Sequence, residues 1–299
     1  MMSKSSFRNL PVTARHDIYP AISPEPYFSG SSAAFHGKVI LIVGASRGIG
    51  LSISSFYARA GAKLAIVSRS EESLAEAKDH IISEAGPWKP EVLTLAADAA
   101  DSKAIEAAVL RVVEKFGGLD VVVANAGISS PWTKPFVEND AYNDWWRVLE
   151  VNLRGTYNVA HYTLPHLEKS KSGAFVAITS TASQVNASFA SAYAVSKTAI
   201  NRFVEYASIE HPSVKSFALH PGTIKTESII AAIPFWEAIA IDTLQLPAAT
   251  ILKLTDGSGR FDWLSGRFVS ANWDLEEVER DWKEDIVNKG MLVTRIIAE

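Results

Sequence analysis

The chain has 299 residues, 47% of them hydrophobic, and a formal net charge of -4 with acidic and basic residues interspersed. That suffices for one large α/β core and argues against a nucleic-acid surface or a basic membrane patch. Cysteine is absent, which excludes disulfides, thiolate metal sites and a cysteine nucleophile.

The opening MMSKSSFRNLPVTARHD lacks a signal-peptide core, and no later run reaches the length of a membrane span. A cytoplasmic protein with neither membrane nor nucleic-acid partners is expected. Residues 1–36 are rich in Ser and Pro, carry Tyr19, Tyr27 and Phe28, and show no sustained period, so they form an N-terminal extension. From Lys38, short β-branched runs alternate with longer helical stretches. KVILIV leads into a helix from Ile49 to Ala60, KLAIVS into one from Glu71 to Ala85, and EVLTLA into one from Ser102 to Phe116. LDVVVA precedes a long helix over about Tyr142 to Glu168; AFVAITS, a helix over about Ser191 to Glu210, and VKSFALH continue the series. Strands this apolar are buried on both faces, which predicts a doubly wound parallel sheet covered by helices, a Rossmann-type α/β fold in a single domain over 37–272. Between Thr223 and Leu246 the period weakens, yet Ile229, Ile230, Ile233, Phe235 and Trp236 need cover. That stretch leaves the sheet at its carboxyl edge, where open α/β sheets bind ligands, so it is read as an apolar substrate lid, with Trp132 and Phe136 as opposite walls. A helix around Ala248 to Leu254, a strand GRFVS and a charged C-terminal segment over 273–299 complete the chain.

Gly44, Gly48 and Gly50 follow the first strand and open the first helix, the context of a dinucleotide-binding turn. Glycines there let the backbone approach a pyrophosphate whose charge the helix N-terminus stabilises. Tyr193 and Lys197 lie four residues apart on one predicted helix, so both reach the same small volume. A phenol titrates near ~10, and a neighbouring cation makes it a usable proton donor nearer neutrality. Tyr193 is therefore the candidate general acid/base. The bland alternative, a surface Tyr/Lys pair, is weakened by its register with the glycine turn and with Ser180 upstream.

In its motifs GASRGIG at 44–50, Asp98 after the third strand, NAG at 125–127, Asn152 in VNLRG, Ser180 in ITSTAS, YAVSK at 193–197 and PGTIKT at 221–226, the chain resembles the short-chain dehydrogenase/reductase family. The extension and the ending SANWD resemble a fungal subset of it. Val43 stands where the family often has Thr. The resemblance implies a catalytic set of Asn152, Ser180, Tyr193 and Lys197. Ser180 would hold the substrate oxygen, Tyr193 exchange the proton, and Lys197 bond the nicotinamide ribose while lowering the Tyr pKa. Asn152 would open its helix so that the main chain holds a water leading to Lys197. For the cofactor it implies the turn residues Gly44, Ser46, Arg47, Gly48, Ile49 and Gly50, Asp98 and Ala99 at the adenine, and Asn125, Ala126 and Gly127 at the adenosine ribose. Pro221, Gly222, Thr223, Ile224 and Thr226 would meet the nicotinamide end.

At the end of the second strand an acidic residue would bond the free ribose and an arginine would pair with a 2′-phosphate. This chain has Ser68 followed by Arg69, with Arg47 in the glycine turn, so NADP(H) is expected. The expected activity is hydride transfer between that cofactor and a small-molecule ketone, aldehyde or alcohol, by a homodimer or homotetramer. The alternatives are an NAD-linked alcohol dehydrogenase and a catalytically silent NADP(H) sensor. The seven histidines show no metal-ligand spacing, so no metal is expected.

Overall fold

The computed structural model describes residues 9–296. Its sheet has seven strands in the order β3-β2-β1-β4-β5-β6-β7, with every neighbouring pair parallel. These are β1 (Val39–Val43), β2 (Lys63–Ser68), β3 (Val92–Ala96), β4 (Val121–Ala124), β5 (Ala174–Ile178), β6 (Lys215–His220) and β7 (Arg267–Ser270).

Side chains alternate between the two faces because a strand has period two. Ile40, Ile42, Leu64, Ile66, Val123 and Val176 pack on one side with α1 (Gly48–Arg59) and α2 (Glu71–Glu84). Leu41, Val43, Val67, Val122 and Phe175 pack on the other, against α3 (Ser102–Phe116), α4 (Gly155–Leu167) and α5 (Ser191–Glu210). The long helix expected over 142–168 is not uniform. Before α4 come π-helical turns at Ala141–Trp146 and Glu150–Arg154, with an α-helical turn, Arg147–Leu149, between them.

Residues 9–36 are built into the same body. Tyr19, Ile22, Tyr27 and Phe35 are buried in the core on the α1 side. Upstream of them the chain runs along the C-terminal segment: Ala14 bridges Trp273, Thr13 bonds Glu277 through its N–H and its hydroxyl, and the Arg15 guanidinium grips Asp274 at 2.6 and 3.0 Å. Beyond β6 the chain forms α6 (Glu227–Ala232), a 3-10 turn Pro234–Ala238 and α7 (Gln245–Leu254). No helix among the described residues is long and apolar enough to cross a membrane.

Candidate active site

The strand order reverses between β1 and β4, so the loops leaving their carboxyl ends diverge and open a crevice. Gly44 and Asn125 stand at its two lips: Gly44 N–H bonds Val67 O at 2.8 Å, and Asn125 Nδ2 donates to Gly44 O at 2.7 Å. Gly44 has φ +88, and a Cβ there would sit 2.6 Å from Ala126 N, so any other residue would force the two loops apart. The Gly48 end of α1, beside Ser46 and Ile49, has no side-chain cap, which leaves its first N–H groups without a capping acceptor.

Ser180, Tyr193, Lys197 and Asn152 come together from three elements. Ser180 lies two residues past β5 and caps the turn Thr181–Ser183: its Oγ accepts from Ala182 N at 3.1 Å, which leaves its proton for another partner. That hydroxyl bonds Tyr193 and opposes the effect of burial, which pushes the phenol above its ordinary pKa. Lys197 lies one turn along α5, with Nζ 5.5 Å from the Tyr193 ring centroid and donating to Ile178 O at 2.8 Å. Burial drives the ammonium down to about 8. The lowering of Tyr193 expected from Lys197 is not what the geometry gives: burial raises the phenol, and the group that opposes it is Ser180. At about 8 the Lys197 ammonium still carries its proton at neutrality, and its charge stands beside the phenol.

Asn152 is fully buried in the π-helical turn Glu150–Arg154. Its Oδ1 accepts from Ile128 N at 2.8 Å, and its Nδ2 donates to Ile128 O at 2.9 Å and to Ser196 Oγ at 3.0 Å. Ser196 Oγ in turn donates to Tyr193 O at 2.7 Å. The Asn152 carbonyl, expected to hold a water, accepts the Thr156 hydroxyl at 2.7 Å, which uses one of its two lone pairs. A Cβ on Gly127 would lie 3.3 Å from Asn152 Oδ1 and 3.5 Å from Lys197 Nζ, so the glycine keeps a gap over the ammonium.

At the end of the crevice expected to take the adenosine, the charges are outermost. Ser68 is half-buried at the tip of β2 and Arg69 is exposed beside it, as is Arg47 in the turn. Arg47 Nη1 reaches Glu227 of α6 at 3.4 Å. Burial would lift the Asp98 carboxyl, but Ala100 N–H and the Arg147 guanidinium hold it below the usual range. The Arg147 contact is 2.6 Å long, and Asn158 Nδ2 fixes the neighbouring Ala99 carbonyl at 2.9 Å. Arg147 was not singled out by sequence. It lies 49 residues from Asp98 and sits in a run that reads as helix packing.

At the end expected to meet the nicotinamide, Pro221, Gly222 and Ile224 are buried, with Thr223 and Thr226 half-buried. Asp242 accepts the Thr223 N–H and the His16 ring nitrogen, the latter at 2.6 Å. The aromatic residues after this loop meet Trp132, whose ring centroid is 6.0 Å from Trp236, 6.4 Å from Phe235 and 6.2 Å from Tyr193. Phe136, expected as a second wall, is 61% exposed. Among the described residues no group of three His, Asp or Glu side chains is disposed to hold a metal.

The family profile described as short chain dehydrogenase matches residues 38–232. The short chain dehydrogenase mpl6 of Monascus purpureus is 35% identical over 286 residues, 94% of each chain. The short chain dehydrogenase andI of Emericella variicolor is 35% identical over 298 residues, 97% of each. In fold, the chain is similar to a levodione reductase, with TM-score 0.69 at 24% identity over 83% of this chain and 100% of that one. It is also similar to an alcohol dehydrogenase of Thermococcus sibiricus complexed with 5-hydroxy-NADP, with TM-score 0.63 at 29% identity over 73% of this chain and 92% of that one. The crevice between β1 and β4, the glycine turn and the length of these matches lead to one conclusion: this chain belongs to the short chain dehydrogenase family of oxidoreductases.

Proposed function

We propose that the protein is an NADP(H)-dependent oxidoreductase that interconverts a bulky, weakly polar ketone or aldehyde and its alcohol, with Tyr193 as general acid/base. The observation that carries this reading is the meeting of the Ser180 hydroxyl, the Tyr193 phenol and the buried Lys197 ammonium beside the crevice.

The residues present fit a nicotinamide dinucleotide. The uncapped α1 N-terminus suits a pyrophosphate, Arg69 beside Ser68 suits a 2′-phosphate, and the gap at Gly127 gives a ribose hydroxyl access to Lys197 Nζ. When bound, the nicotinamide supplies or takes the hydride at the carbonyl carbon. In the reducing direction Tyr193 gives its proton to the substrate oxygen, so hydride and proton together make one alcohol. Ser180, with one lone pair already occupied by Ala182 N–H, directs its own proton to that oxygen and steadies the charge growing on it. Lys197 has two N–H donors beyond the one spent on Ile178 O, for the ribose and for stabilising the tyrosinate. Asn152 holds Ile128 and, through Ser196, the Tyr193 backbone in register.

NADP(H) is favoured over NAD(H) because both Arg69 and Arg47 border the expected phosphate, and a fold relative was solved with 5-hydroxy-NADP. One contact favours the NAD-linked alternative: Arg47 is paired with Glu227, whose carboxylate would repel a phosphate. Association as a homodimer or homotetramer is supported by the exposed apolar Tyr157 on α4 and Tyr206 and Ile209 on α5. A panel of ketones, aldehydes and secondary alcohols, followed at the reduced-nicotinamide absorbance with each cofactor in turn, tests the reading. Turnover of large apolar carbonyls with NADPH preferred supports it. Turnover with NADH alone gives the NAD-linked enzyme, and binding without turnover of any member gives a silent sensor.

A further inference from the structure

The N-terminal extension, midway along its length, makes contacts that reach the reaction side of the sheet. His16 presents its ring nitrogen to Asp242 Oδ1 at 2.6 Å, and its carbonyl accepts from Thr243 N at 2.9 Å. Asp17 Oδ1 accepts the Thr243 hydroxyl at 2.7 Å. The other Asp242 oxygen accepts the Thr223 N–H, while Asp242 N–H returns to Thr223 O at 3.2 Å. Asp242 therefore ties the two stems of the 223–246 segment together, directly after Pro221 and Gly222, and is itself buried. A Cβ on Gly222, whose φ is +106, would lie 2.7 Å from Asp242 Oδ2, so loop and carboxylate are fitted to one another. The buried imidazole of His220, one residue before this loop, faces the same carboxylate and accepts from Thr181 N at 3.4 Å, next to Ser180.

A buried carboxylate is tolerated where every oxygen has a donor. Asp242 Oδ2 has the Thr223 N–H, and the partner of Oδ1 comes from the extension. Without His16 the carboxylate must find water or turn outward, which frees the Thr223 N–H that sets the loop. Farther upstream the extension is held elsewhere, by Thr13 on Glu277 and Arg15 on Asp274. Anchoring the extension and bracing the loop are thus separate contacts.

We propose that His16, acting through Asp242, is a positioning residue for the Thr223 loop and the stems of the lid, which makes the N-terminal extension a working part of the site. This rests on the proposed carbonyl chemistry for its kinetic consequence but not for its structural one. The experiment compares full-length His16→Ala, His16→Asn and Thr13→Val by hydrogen–deuterium exchange and by steady-state kinetics with NADPH and a turned-over ketone. The Thr13 variant removes a hydroxyl contact of the same extension and leaves Asp242 untouched. Expected for His16→Ala is exchange at least about tenfold faster at the Thr223 amide, with protection of β6 unchanged. KM for the ketone should rise about fivefold or more while kcat changes less than about twofold. His16→Asn, which keeps an N–H donor, should recover part of both effects, and Thr13→Val should show neither. Exchange at Thr223 equal in His16→Ala and Thr13→Val overturns the proposal, as does a loss confined to melting temperature with KM unmoved. If no carbonyl is turned over, the exchange comparison still decides the bracing role, so that failure belongs to the proposed function alone.

Discussion

The surroundings of Tyr193 and the 223–246 segment, proposed as a lid over them, are built on opposite terms. Around Tyr193, each polar atom of Asn152 has a partner inside the body, Lys197 is buried, and the loop after Ser180 is tied to α5 through Thr198 and Asn201. Across the cleft, Phe235 is 55% exposed, Ile239 47% and Ile241 64%, and the stems of their segment are fastened at Asp242. Chemistry that depends on proton position needs fixed groups, whereas selection of an apolar ligand needs surface that is still available to be covered. Burial also lowers the pKa values of groups on the Tyr193 side: it moves Lys197 to about 8 and His220 to about 4. Arg47 and Arg69 remain in water.

The largest effect should come from the fixed region. Tyr193→Phe is expected to lower turnover by about 10²- to 10⁴-fold while the NADPH dissociation constant stays within about twofold, because the ring remains and the proton is lost. Single-turnover kinetics beside a fluorescence titration separates the two quantities. Retention of more than about a tenth of the rate would remove Tyr193 from its role.

The next effect is thermodynamic. His220 is held neutral by burial, with its pKa moved from 6.5 to about 4. Between those values the unfolded chain takes up a proton that the folded chain refuses, so this group's contribution to stability is complete above pH 6.5 and is lost as pH falls towards 4. The loss is of order 3 kcal/mol. Urea denaturation at pH 7 and pH 4.5 should show a wild-type decline that is shallower in His220→Asn. Parallel declines would mean that the imidazole is hydrated.

Arg69 tests the water-facing end. Arg69→Gln should weaken NADPH by about 10- to 100-fold, the worth of a charge-assisted contact of ~1.5–3 kcal/mol, and leave NADH unchanged. Equal weakening of both would assign the guanidinium to the fold. The smallest effect belongs to the lid. Removing the Trp236 ring from its edge contact with Trp132 should raise KM for bulky apolar ketones by about three- to tenfold, as befits an aromatic contact of ~0.5–1.5 kcal/mol, with small ketones unaffected. Uniform changes across substrate size would make the segment structural and erase the contrast between the two regions.

What the sequence made legible follows the same division. The strands were readable because each is an apolar run with its helix next in the chain, and the pairing of Tyr193 with Lys197 was readable because helical spacing is local. Contacts across long intervals left no such trace. Asp98 meets Arg147, and His16 meets Asp242 over 226 residues, through one side chain on each part. The π-helical turn at Glu150–Arg154 was foreshadowed only by a poor helix former, Asn152, whose side chain pairs with Ile128 instead of solvent. The tail of residues 9–36 reads as loop because its buried Tyr19, Ile22, Tyr27 and Phe35 follow no period, although together they seal one face of the sheet.

Asn152 does something a strand would ordinarily do. Its amide gives and takes one hydrogen bond with the same residue, Ile128, which is the two-bond exchange of an antiparallel β pair. β4 ends at Ala124 and Asn125 N–H still reaches Val43 O at 3.0 Å; farther along, at Ile128, the Asn152 side chain supplies the pair of bonds a neighbouring strand would give. An isosteric Asp would keep the shape and reverse one polarity, setting oxygen against the Ile128 carbonyl. The loop, the widened helical turn and, through Ser196, the start of α5 are thus held together by one side chain.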